Sequence, residues 1–239
     1  MRFLVFQHVD VEHPGVFREF WREAGIDWKA VELDAGEPIP ERLADYDALI
    51  AMGGPMDVWQ TERHSWLEPE IAAIRTFVVD MKRPFLGVCL GHQLLAAALG
   101  CRVAPAAASE VGPCTVELTP AGLSDPLFAG LGSPLLTFQW HSSEVAELPD
   151  GAVVLARTEL CEVQAMRWGS HAYGLQFHAE LTQDTVDEWA MIPEYHRSLK
   201  EALGAERAAG LAAETAALLP QFSSTARTLN ANFLELLRN

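Results

Sequence analysis

Residues 84–100 read PFLGVCLGHQLLAAALG, an apolar run that ends in a cysteine and leaves it through a glycine into an alanine- and leucine-rich helical segment. At a strand-to-helix corner of this kind the first backbone N–H groups of the helix lack intrahelical partners, and the helix dipole adds partial positive charge. Both favour a thiolate at Cys89. Gly87 and Gly91 flank it in the order Gly87-Val88-Cys89-Leu90-Gly91, as the tight turn of a nucleophile elbow requires. A thiolate nucleophile needs a base, and the base needs a group that orients its ring. The stretch GLQFHAEL offers both: His178 and Glu180 alternate on an expected strand, so their side chains leave the same face.

Those residues need a scaffold. RFLVFQ, DWKAVEL, YDALIAM and PFLGVC read as strands, with helices expected from His13 to Ala24, from about Trp66 to Met81, and from Leu90 onward. This alternation predicts a flavodoxin-like α/β architecture, an open, mostly parallel sheet flanked by helices. From about Gly112 the helices drop out, and CTVEL, LLTFQWH, AVVLAR, CEVQAMRW and AYGLQF read as added antiparallel strands. After Thr182 the chain reads as helical, with interruptions at Pro193 and Pro220 giving segments 194–203, 205–219 and 225–238. The expected organisation is an α/β domain over 1–190 with a helical C-terminal extension, 191–239, packed on it. Those helices either cap the core or offer a homo-oligomer or partner surface.

Composition narrows the function classes. The chain has 239 residues, 17 basic against 33 acidic, for a net charge of −16. Nucleic-acid binders concentrate Lys and Arg on one face, and no such cluster occurs. No segment approaches the length of a membrane span, and MRFLVFQHVD reaches an aspartate too early for a signal peptide. A soluble, cytoplasmic protein is expected. Cys89, Cys101, Cys114 and Cys161 show no CxxC spacing, so neither a metal site nor a disulfide framework is expected. Cys101, Cys114 and Cys161 lack elbow glycines and read as packing residues.

Three stretches together resemble the class I, triad-type glutamine amidotransferases: GVCLGHQLLAAALG their nucleophile motif, GLQFHAE their histidine-glutamate motif, and MGGP at 52–55 the glycine pair of their oxyanion loop. They occur in the family's order over roughly residues 45–182. Ala179 stands where the family usually has proline. The resemblance implies a cysteine amidohydrolase without a cofactor. In it Cys89 attacks the side-chain amide of glutamine or a γ-glutamyl compound, His178 moves the proton, and Glu180 orients His178. Gly54 and Leu90 would supply oxyanion-hole N–H groups. Gly53, Gln93 and the QWHSSEV residues His141, Ser142 and Ser143 would bind the substrate. His92, about 100° around the helix from Gln93, reads as packing, as do Trp59 and Trp66; His8, His13, His64, His171 and His196 receive no role.

No GxxxxGK[ST] or SGGxDS-like loop occurs, so the chain carries no synthetase of its own. Either a separate ammonia-accepting synthetase subunit is its partner, or it works alone, like the γ-glutamyl hydrolases and peptidases of similar fold. A catalytically silent binding or regulatory protein is the remaining alternative.

Overall fold

The computed structural model describes residues 1–238. Near-continuous apolar runs build the parallel strands β1 (Arg2–Gln7), β3 (Ala48–Ala51) and β4 (Phe85–Val88), and the more polar β2 (Asp27–Glu32) forms the edge beside β1. β3 and β4 are buried at every residue, as strands covered on both faces must be. The later strands are β5 (Val103–Leu118), β6 (Leu135–Val145), β7 (Ala152–Arg157), β8 (Ala165–Trp168) and β9 (Ala172–Leu175). All join one nine-stranded mixed sheet in the order β2-β1-β3-β4-β9-β8-β7-β5-β6. Pairing is parallel from β2 through β9 and antiparallel from β9 through β6. β9 therefore departs from the antiparallel expectation for AYGLQF. It closes the parallel core against β4, which sets the chain after Leu175 beside the corner after Val88.

The first helix, α1 (Phe17–Glu23), starts later than His13. Pro14 and Gly15 form a turn, closed by a 2.9 Å bond from Phe17 N–H to the Pro14 carbonyl, and Gly15 adopts φ +47°. Next come α2 (Leu67–Arg75), prolonged by a π-helical turn over Thr76–Asp80, and α3 (Leu90–Ala98). Their apolar residues pack on one face of the parallel strands, while α1 packs on the other. Short helices α4 (Pro120–Ser124) and α5 (Thr185–Ala190) precede the long α6 (Pro193–Leu236).

α6 keeps the expected break between 203 and 205 but not the interruption at Pro220. Pro193 opens the helix, where its missing N–H costs nothing. Pro220 is carried within the helix, and the one non-helical residue inside it is Gly204, at φ 72°. Before and after that bend the helix buries Tyr195, Leu199, Leu211 and Phe222 against Phe138, Trp140 and Trp189. Its last turns bury Leu229, Phe233 and Leu234 with Phe17, Phe20 and Trp21 of α1, and Trp21 Nε1 donates to Asn230 Oδ1 at 2.9 Å. Among the described residues, no helix is long and apolar enough to cross a membrane.

Candidate active site

Cys89 occupies the corner between β4 and α3 with φ 51° and ψ −104°. A non-glycine residue in that region is held there by its surroundings, at a cost of order 1–3 kcal/mol. The surroundings are specific. Cys89 N–H donates to the Leu175 carbonyl at 2.8 Å, and Gly91 N–H donates to the Met52 carbonyl at 3.1 Å. A Cβ on Gly91 would lie 2.1 Å from the Ala51 oxygen, and one on Gly87 would lie 2.3 Å from the Gly91 oxygen. The glycines are thus required by close approach, not by unusual backbone angles.

His178 and Glu180 lie beyond the end of β9, a departure from the expected strand. His178 is held by an isolated bridge to Phe138, its N–H donating to the Phe138 carbonyl at 2.8 Å. The pair still meets: His178 Nδ1 lies 2.7 Å from Glu180 Oε1. The carboxylate is fixed further by its Oε2, which accepts from Ala179 N–H at 2.9 Å. The indole of Trp189 meets the imidazole edge-to-face at 4.5 Å between centroids. Burial opposes a charge on His178, but Glu180 and the Cys89 sulfur outweigh it and raise its pKa well above the ordinary value. Among the described residues its Nε2 has no hydrogen-bond partner, and the Cys89 thiol donates to the Trp140 carbonyl at 3.8 Å.

In front of Cys89 opens a cavity of about 330 Å³, lined in part by Gly54, Leu90, Gln93, His141, Ser142 and Ser143. The N–H groups of Gly54 and Leu90 make no hydrogen bond within the described residues. The two residues are neighbours, since a Cβ on Gly54 would lie 2.9 Å from Leu90 Cδ2. Gln93 is committed to the protein, its amide donating to the Ser143 carbonyl at 3.0 Å and to Gln176 Oε1 at 3.1 Å. Ser143 Oγ donates to Asp57 Oδ1 at 2.7 Å, whereas Ser142 is exposed and accepts from Ser109 at 2.9 Å. His141 Nδ1 faces the Ser143 carbonyl at 3.1 Å, and its Nε2 faces Glu110 at 3.2 Å. His92 packs beneath the cavity, where burial, with His141 nearby, holds its pKa down to about 3. Trp66 stacks on His8 and Trp59 is largely exposed; neither lines the cavity.

Four residues given no role in the sequence complete the surroundings. His8 Nδ1 is 2.8 Å from the Gly53 carbonyl, and its Nε2 is 2.9 Å from Glu70 Oε1. Burial disfavours the imidazolium of His8, yet Glu70 prevails and raises its pKa. A charged His8 donates both protons and so fixes the glycine loop. Glu12 is fully buried close to His178, with Tyr195 of α6 hydrogen-bonded to it. A hint existed for His8 and Glu12, since both follow the carboxyl end of β1, where open α/β sheets gather their sites. Tyr195 carried no signal.

Comparison with known proteins agrees with this architecture. The family model "Glutamine amidotransferase class-I" matches residues 17–192. The chain belongs to that family. It is 34% identical over 209 residues, 85% of each chain, to the glutamine amidotransferase-like protein YfeJ of Salmonella typhimurium. It is 40% identical over 146 residues to a glutamine-hydrolyzing GMP synthase subunit of Methanothermobacter thermautotrophicus, covering 60% of this chain and 71% of that one. Of two longer GMP synthases it spans 32% and 23%. The crystal structure of a glutamine amidotransferase from Thermotoga maritima superposes with a TM-score of 0.86 at 26% identity, covering 100% of this chain and 99% of that one.

Proposed function

We propose that the chain hydrolyses the side-chain amide of glutamine, or of a γ-glutamyl compound, through Cys89, His178 and Glu180. The observation that carries this reading is the strained Cys89 corner facing a cavity beside a buried His178–Glu180 pair. Cys89 Sγ adds to the amide carbon, and the oxyanion is received by the free N–H groups of Gly54 and Leu90, each worth about 3 kcal/mol in such sites. As the C–N bond breaks, His178 delivers its proton to the leaving nitrogen, leaving a γ-glutamyl thioester. His178 then takes a proton from water, whose oxygen displaces the thiol and releases glutamate. Glu180 keeps the Nδ1 proton in place throughout. Gln93, His141, Ser142 and Ser143 form the floor and wall for the glutamyl group, Gln93 by holding the Ser143 strand; Gly53, expected to bind substrate, is not among the lining residues and lies against His8 and Glu12 instead.

Pairing with a separate synthetase is the reading drawn from the Methanothermobacter relative, which is named as one subunit of GMP synthase. One observation favours solitary hydrolysis instead: α6 supplies Glu194, Tyr195, Arg197, Ser198 and Glu201 to the cavity wall, so the chain itself covers part of the entrance. We read 1–190 and 191–239 as one working unit for the same reason. Ammonia and glutamate release should be assayed with glutamine and a panel of γ-glutamyl amides. The wild type is expected to turn over at least one, and Cys89→Ala none. Hydrolysis by Cys89→Ala at the wild-type rate would sink this mechanism.

A further inference from the structure

Glu12 has no part in the chemistry described so far, yet it occupies the most guarded position near it. It lies in the loop after β1 and is 0% exposed. One carboxylate oxygen, Oε1, accepts the hydroxyl of Tyr195, delivered from α6. The other, Oε2, has no hydrogen-bond partner among the described residues and lies against the glycine loop, where a Cβ on Gly53 would come within 2.5 Å of it. A side-chain oxygen of Glu12, a ring nitrogen of His178 and an oxygen of Glu180 all fall within 4.8 Å of one another. The groups facing Glu12 are His178, Glu180, His8 and Tyr195. Two carboxylates therefore converge on one imidazole.

We propose that Glu12 is a second carboxylate of the catalytic histidine, a positioning residue held by Tyr195 that keeps His178 charged until its proton leaves for the departing nitrogen. The proposal rests on the triad reading above. Glu12 transfers no proton: the one that moves travels from His178 Nε2 to the leaving nitrogen, and Glu12 supplies the field that keeps it on the ring beforehand. An opposite charge at this range stabilises an imidazolium by about 1–3 pKa units. Burial raises the carboxyl of Glu12 to about 7, against the pull of His178 and the Tyr195 hydroxyl. Its support is therefore present above neutrality and withdrawn below it. Through Tyr195, the seating of α6 governs the proton held by His178, which shares the Trp189 indole as a packing neighbour with Tyr195.

The test follows the ring of His178 by ¹⁵N-edited NMR as a function of pH, in the full chain and without substrate. Glu12→Gln should lower the pKa of His178 by about one unit or more, a tenfold weaker hold on the proton, and should lower kcat more than it raises KM. An unchanged His178 titration in a folded Glu12→Gln protein overturns the proposal. Should that variant not fold, Tyr195→Phe serves: it removes the hydroxyl, raises the pKa of Glu12, and should move the inflection that Glu12 imposes on the His178 resonances to higher pH. An unmoved inflection overturns it equally. Because the NMR reading needs no turnover, a chain inactive on every amide would refute the proposed function and leave this coupling measurable.

Discussion

Glu12 also carries a thermodynamic signature. Its folded pKa of about 7 exceeds the unfolded carboxyl value of about 4.3, so the folded state binds the extra proton between those limits. Stability contributed by that proton is present at low pH and lost as pH rises from about 4.5 through 7. Glu12→Gln should therefore melt higher than the wild type at pH 8, and the gap should shrink toward pH 4.5. An equal gap at both values would contradict the linkage. A residue that costs stability at working pH is characteristic of sites where function is bought with strain. Cys89 was legible in the sequence because its corner is local: strand, glycine, cysteine, glycine, helix. His178 and Glu180 were legible as a pair from their spacing, and their bond forms just beyond the end of β9 rather than on it. Glu12 and Tyr195 were not legible as a pair, because their contact spans 183 residues and exists only after the chain has closed.

The elements show how closely the corner is fitted. Alanine at position 91 would gain up to about 1 kcal/mol as a helix former, but its Cβ would press on the Ala51 carbonyl at 2.1 Å. Overpacking against backbone costs about 1–3 kcal/mol or more. Gly91→Ala should thus lower the urea midpoint and displace Cys89. Gly210, inside α6 with nothing within 4 Å of a new Cβ, provides the contrast: Gly210→Ala should raise the midpoint by about 0.5–1 kcal/mol equivalent. The same midpoint shift for both would mean that close approach is not what selects glycine at 91. The parallel half of the sheet was readable from apolar alternation of strand and helix. The parallel pairing of β9 was not, since register and direction are set by a partner 87 residues earlier. Pro220 misled because proline's cost in a helix is a local rule, while α6 gains its stability from the apolar face it buries.

For the whole molecule the question is what the last helix contributes. The apolar residues that could have formed a partner surface are largely used within the chain: Leu199, Leu211 and Phe233 are buried, and Leu203, Leu218, Leu219, Leu236 and Leu237 are partly buried against the same clusters. Truncation at Ser223 would remove Leu229, Phe233 and Leu234 from beneath α1, together with the Asn230 bond to Trp21. At about 1.5–3 kcal/mol for each large side chain, the loss approaches the 5–15 kcal/mol that holds an ordinary domain together. The truncated chain should be insoluble or lose its cooperative melting transition. A soluble, active, cooperatively melting fragment would return these residues to the account of an oligomer or partner interface.

The contact between Trp21 and Asn230 has a consequence in time as well as in space. The two are 209 residues apart, so the apolar face of α1 is covered only after that length of chain has been made. Domains assembled from such distant contacts close slowly and leave aggregation-prone surface exposed meanwhile. The Tyr195 hydroxyl that meets Glu12 comes from a segment made after the residues of the Cys89 corner, His178 and Glu180. Under the proposed coupling, the residue that positions the proton of His178 gains its own anchor only once α6 has been made and seated.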